Sequence, residues 1–217
     1  DKFAYLKFGR PGTDTCTKCD LLHAKIKSSA RRDKTKYTAE LELHHRKAES
    51  AQKTMKANAV ESQSPASNTI TMAMDMQQVI FIPTLTHSQM FYSRQVSCYN
   101  LCVHIADNQQ AYMCLWNESY AGRGGNEVGS SIFKVLNMMS PKTLKKHAVI
   151  WSDNCIGQNK NRMVLFALIY LVANGIYDTI DHKYLVSGHS FMSCDRDFAQ
   201  IEKRKRVVKC FDPSKGC

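Results

Sequence analysis

Residues 70–77 read Ile70, Thr71, Met72, Ala73, Met74, Asp75, Met76, Gln77, with large apolar side chains at every second position. A period of two belongs to a β-strand with one face buried, so this stretch predicts a strand whose less apolar face carries Asp75. A carboxylate inside an apolar strand destabilises the fold unless it is paired or holds a cation. The strand therefore opens a sheet and gives it an acidic position.

Downstream, Ser97 to Ala106 and Ala111 to Asn117 are strand-like and flank the turn signal Asp107, Asn108, which predicts an antiparallel meander of three strands. Gly122, Gly124 and Gly125 form a loop. Asn126 is placed to cap a helix over residues 127–139, where Val128, Ile132, Val135 and Leu136 recur at helical spacing until Pro141 stops the run. His147 to Trp151 predicts a short strand, Asp153 to Lys160 a loop, and Asn161 to Asn174 a helix ended by Gly175. Tyr184 to Val186 predicts a further strand and Asp195 to Arg206 a last helix. The order β-β-β-α-β-α-β-α is that of a ribonuclease-H-like fold, an α/β architecture in which helices cover a mixed sheet.

Upstream of the sheet the composition changes. Tyr37 to Val60 has neither Gly nor Pro and predicts one long helix carrying His44 and His45, with Ser62 to Asn68 as a linker. Two domains are expected, a helical one over residues 1–65 and the core over residues 66–217. Cys16 and Cys19 have the spacing of a zinc knuckle, and His44 is a third ligand for a structural Zn²⁺. His23, His45, Cys210 and Cys217 are the candidates for a fourth. Cys98, Cys102, Cys114, Cys155 and Cys194 fall in or beside core elements, where Cys acts as a small buried hydrophobe.

The 217 residues, 43% of them hydrophobic, suffice for one ordinary core and a small module. Lys and Arg number 30 against 19 Asp and Glu, a net charge of +11. Polyanions, DNA first, are the expected partners. The longest apolar run, Met163 to Ala173, falls short of the roughly 20 residues of a membrane span, so no membrane partner is expected and the run predicts a buried helix. Irregular cysteine spacing and the basic run Lys203, Arg204, Lys205, Arg206 suit a reduced, nuclear protein.

In the ribonuclease H fold, carboxylates on the first strand, just after the fourth and on the final helix hold two divalent cations, Mg²⁺ or Mn²⁺. Asp75, Asp153 and Asp195 fall in those places. Mg²⁺ takes oxygen ligands, and two ions about 4 Å apart stabilise the attacking and leaving oxygens of an in-line phosphoryl displacement. Asp195 and Glu202 are seven residues apart on one helix face, so Glu202 is the alternative ligand or a fourth participant, whereas Asp197 points elsewhere. His189 is placed to orient a phosphate or a water and joins the candidate catalytic set. Candidate nucleic-acid contacts are Asn154, Gln158, Asn159 and Lys160 in the loop, Arg123, and Lys203, Arg204, Lys205 and Arg206. Capping within the loop is the other reading of its amides.

The run Trp151, Ser152, Asp153, Asn154, Cys155, Ile156, Gly157, Gln158, Asn159, Lys160, Asn161 carries a W-x-D-N-C-x-G-Q-N-x-N pattern that resembles a large family of transposon-derived animal proteins, known mostly as a domain of unknown function. The resemblance extends to Asp75, Met76, Gln77, Gln78 and Pro83, to Tyr99 and Asn100, to Gly188, His189, Ser190, Asp195, Ile201 and Glu202, and to Cys16, Cys19, His44 and Ala48. It implies a DDE transposase or integrase type of core with acidic residues at Asp75, Asp153 and Asp195 or Glu202. The expected activity is metal-dependent DNA cleavage and strand transfer. The alternative is a catalytically inactive, host-captured module that binds DNA or protein on the same fold, and a homo-oligomer is a further expected assembly.

Overall fold

The computed structural model describes residues 15–83 and 94–205, and at its centre lies the strand Thr69–Met76 (β1), buried at every position but Asp75. Ile70, Met72, Met74 and Met76 enter one core layer and Ala73 the other. The alternation read from the sequence thus sorts side chains between two faces that are both covered.

A short strand, Ile80–Ile82 (β2), follows β1, and then comes the ten-residue strand Val96–Ile105 (β3). β3 takes β1 antiparallel along its C-terminal half, Asp75 opposite Cys102, and β2 along its N-terminal half, Ile80 opposite Cys98. Ala111–Asn117 (β4) pairs antiparallel on the far side of β3. His147–Ser152 (β5) runs parallel to β1, and Thr179–Tyr184 (β6) parallel to β5. Across the sheet the order is β4, β3, β1 with β2 in line, β5, β6. Parallel neighbours need a crossover, here the helices Gly125–Met139 and Arg162–Ala173.

Thr17–Ser28 (α1) packs on the long helix Arg31–Ser62 (α2). Gly125–Met139 (α3) and Arg162–Ala173 (α4) cover the face of Ile70 and Met72, supplying Val128, Ile132, Leu136, Val164 and Leu171 to that layer. Ser193–Lys205 (α5) covers the other face with Cys194 and Phe198, and Ala51 and Met55 of α2 pack there too. Thr71 Oγ1 donates to Asn58 O at 2.9 Å, which joins α2 to β1.

Several boundaries differ from expectation for local reasons. α2 begins at Arg31, not Tyr37, and a separate α1 precedes it. The cap of α3 is Gly124, whose N–H donates to Glu127 Oε2 at 3.0 Å, and not Asn126. β6 starts at Thr179, because its polar alternation Thr-Ile-Asp-His-Lys-Tyr suits an edge strand rather than an apolar run. α4 is not a buried helix: it buries Val164, Leu168 and Leu171, but Phe166 is 60% exposed and Ile169 51%. Among the described residues no helix is long and apolar enough to cross a membrane.

Candidate functional site

Strand register brings the first two acids together. Met74 of β1 lies beside Ser152 of β5, the last pair of a parallel ladder, so Asp75 and Asp153 leave the sheet side by side. Asp75 is on the face covered by α5, and Cys194 Sγ lies 3.4 Å from Ala73 O, which fixes the start of α5 over β1. Asp195 thereby joins the pair from the first turn of that helix. Its Oδ2 accepts the N–H of Met192 at 2.7 Å, so the carboxylate also caps the helix. Burial, and then the neighbouring charges of Asp153 and Asp195, push the Asp75 carboxyl up to about 7, against a donated Met76 N–H and the Arg123 guanidinium. Asp75 thus feels the charge of both other expected carboxylates, but the ligand atoms of the three do not all lie within 4.8 Å of one another.

The loop after β5 is built around Asp153. Asn159, fully buried, donates its amide to Asp153 Oδ1, which also accepts the N–H of Cys155 at 3.2 Å. Asn161 caps α4, its Oδ1 accepting from Met163 and Val164 N–H at 3.0 and 3.1 Å while its amide donates to Gln158 O. Asn159 thus braces the acid from inside and is not a surface contact for nucleic acid. The buried Oδ1 atoms of Asn154 and Asn159 have no partner. Behind the loop, Ser152 Oγ donates to Asp153 O at 2.9 Å and lies 3.0 Å from His182 Nε2, and Tyr184 OH is 3.1 Å from His182 Nδ1. Burial lowers the His182 imidazole to about 4. With the Ser152 proton directed at Asp153, the neutral ring donates from Nε2 and accepts from Tyr184.

Glu202 is held by Gln77 and Lys205. Its Oε1 accepts from Gln77 Nε2 at 2.9 Å, Gln77 Oε1 accepts from Asn100, and Lys205 pairs with its other oxygen at 3.4 Å. Asp197 turns away, as expected, onto buried His104 at 2.7 Å. Arg123 donates to Gln77 O at 3.1 Å, and the Lys160 ammonium lies over the Tyr184 ring. Lys203 and Arg204 are exposed, whereas Arg206 lies outside the described residues.

A second cluster gathers Cys16, Cys19, His44 and His189, whose ligand atoms all lie within 4.8 Å of one another. Cys16 Sγ is 3.2 Å from His44 Nε2, and Cys19 Sγ is 3.4 Å from His189 Nε2. Zinc bonds of about 2.3 Å to sulfur and 2.0 Å to nitrogen give a tetrahedron S···N edges of about 3.5 Å. This Cys₂His₂ group could hold a zinc ion. Burial and the adjacent His189 lower the His44 imidazole, favouring the neutral form that binds metal. His189, expected beside the phosphate chemistry, stands with the thiols instead. Of the expected fourth ligands, His23 is exposed, His45 Nε2 lies 3.3 Å from Cys19 Sγ outside the four-residue group, and Cys210 and Cys217 lie outside the described residues. His189 was missed because local spacing relates only neighbours in sequence, and it lies 170 residues after Cys19.

A family model described as a domain of unknown function (DUF7869) matches residues 97–211, just over half of the chain. The match includes Asp153, His189 and Asp195 but begins at β3, after Asp75, Cys16, Cys19 and His44. No curated protein matches. Among solved structures the chain is similar to a Mos1 transposase paired-end complex with left transposon end, at 9% identity and a TM-score of 0.40, over 94% of this chain and 75% of that one.

Proposed function

The chain belongs to the family described as a domain of unknown function (DUF7869), and from that premise we propose that it is a metal-dependent DNA nuclease and strand transferase of the DDE transposase type. The core is ribonuclease-H-like in this reading. Strand order supports it: with β1 and β2 counted as one strand, the sheet runs third, second, first, fourth, fifth, the first three antiparallel and the last two parallel to the first.

The observation that supports the function is that Asp153, from a loop, and Asp195, from a helix, both press their charge on Asp75 of the first strand, at separations wider than the 4.8 Å that unites the cysteine and histidine group. Such a group fits divalent cations, since like charges are stabilised by a counter-ion and the unpartnered Asn154 and Asn159 oxygens add unused acceptors nearby. Asp75, Asp153 and Asp195 would hold Mg²⁺ or Mn²⁺, with Glu202 as a fourth participant. Two such ions supply charge stabilisation to the attacking and leaving oxygens of a phosphodiester. Burial and the two neighbouring acids raise the Asp75 carboxyl to about 7, so it would have to give up its proton to hold a cation. Asn159 fixes the direction in which Asp153 presents its carboxylate, and Ser152 holds the Asp153 backbone carbonyl. Arg123, Lys160, Gln158, Asn154, Lys203 and Arg204 are assigned to the DNA backbone, with Lys205 shared with Glu202. Cys16, Cys19 and His44 hold a structural zinc, a homo-oligomer is the assembly in this reading, and the basic end of α5 suits a nuclear location.

Nicking of supercoiled DNA by the purified chain in Mg²⁺ or Mn²⁺ tests the proposal. Cleavage should require the cation and be abolished by Asp153→Ala and Asp195→Asn, with DNA binding retained. Activity that survives Asp153→Ala, or a chain that binds DNA but cleaves none with either cation, sinks the nuclease reading and favours the captured binding module; activity that survives Asp195→Asn and is lost in Glu202→Gln moves the third ligand to Glu202.

A further inference from the structure

We propose that a zinc ion held by Cys16, Cys19, His44 and His189 ties the N-terminal helices to the loop between β6 and α5, and through that loop sets the position of Asp195. The importance of Asp195 rests on the nuclease reading; the tether does not.

Two ligands come from the start of α1 and one from the middle of α2, while the fourth belongs to the core, in the segment that leads into α5. The contact there is close. Gly188 has φ 77°, and a Cβ at this position would lie 2.6 Å from Cys16 Cβ, so only glycine lets the loop approach the first ligand. Cys16 Sγ also lies 3.4 Å from Ser187 O. From α2, Gln52 donates its amide to His189 O at 3.1 Å and Phe191 O at 3.0 Å, gripping the loop at the ligand and two residues beyond it. The next residue, Met192, gives its N–H to the Asp195 carboxylate at 2.7 Å. An unbroken path therefore runs from the metal ligand to the third acid. Without the ion, the helices and loop keep the Gln52 clamp and weak thiol contacts. Hydrogen-bond partners that orient a metal's ligands, as the Met192 N–H orients Asp195, commonly alter the metal's affinity by about 10–100-fold when disturbed.

His45 offers the competing arrangement, because its Nε2 is 3.3 Å from Cys19 Sγ and would close the site within the N-terminal helices alone. Zinc content of the purified full chain separates the two. His189→Ala should lose the ion, His45→Ala should keep it, and His189→Cys, which restores a ligand, should recover it and so exclude simple misfolding. Hydrogen exchange then reads the tether: in His189→Ala, amides of residues 186–195 should exchange faster while those of β1 and β5 are unchanged. Loss of zinc in His45→Ala with retention in His189→Ala, or faster exchange confined to residues 16–60, overturns the tether.

Binding of Mn²⁺, followed by the paramagnetic signal of the free ion, reads the effect on Asp195. Affinity should fall about tenfold in His189→Ala and return in His189→Cys. Equal affinity in all three proteins overturns the positioning of Asp195. Absence of Mn²⁺ binding in the unaltered chain overturns the two-cation reading together with that positioning role, while the exchange result still decides the tether.

Discussion

Burial in β1, and then the charges of two other acids, raise the Asp75 carboxyl to about 7. The sign of its pH dependence follows. Below its ordinary value of 3.8 the folded and unfolded chains are both protonated; between 3.8 and about 7 only the folded chain keeps the proton, so stability falls as pH rises, and above 7 the loss is complete. Asp75→Asn should therefore stabilise the chain at pH 8 without Mg²⁺ or Mn²⁺ by roughly 2–4 kcal/mol in urea denaturation. Mg²⁺ should raise the melting temperature of the unaltered chain and not of the variant; an equal rise in both would separate Asp75 from cation binding. His182 runs the other way. Its imidazole is lowered to about 4, so stability is present above 6.5 and is lost as pH falls towards 4. The loss is roughly 3 kcal/mol. His182→Gln should flatten that part of the pH–stability curve, and an unchanged slope would show that the ring titrates freely.

At the scale of elements, the loop from β5 to α4 couples a cap to an acid. Asn161→Ala removes the acceptor for two N–H groups of α4 and the donor to Gln158 O, and should destabilise the chain by roughly 1–2 kcal/mol. Gly125→Ala should act in the same direction without altering Asn161, because its Cβ would lie 2.5 Å from Asn161 Oδ1. Urea denaturation checks both; a loss near zero in Asn161→Ala would mean that the loop holds itself. Much of this region was legible, since Trp151 to Asn161 marks strand, turn and cap in order. β1 was legible through its period, and Asp75 through its misfit in that period. β2 and β6 were not: β2 is three residues long and β6 is a polar edge. The exposure of α4 was hidden too, because an apolar composition does not say how much of a helix its neighbours cover.

For the whole molecule, the net charge of +11 predicts that the proposed DNA binding depends strongly on salt. Replacing Lys160, Lys203 and Arg204 together with Ala should weaken binding to any DNA sequence and reduce the slope of log affinity against log salt by roughly 2–3, near 0.9 for each phosphate no longer neutralised. An unchanged slope would place the DNA on another face. The three acids could be proposed from the sequence because a fold order assigns them places, whereas His189 depends on how α2 lies over the loop before α5, which no local pattern encodes. That separation also orders how the protein is made. Ribosomes add about 5–20 residues per second, so with Cys19 and His189 170 residues apart, each nascent chain waits roughly 10–30 s with its first three donors exposed before the last one emerges. In the tether proposed above, zinc captured early would be held on three ligands with one position open, and would become secure only when the sheet behind it is complete.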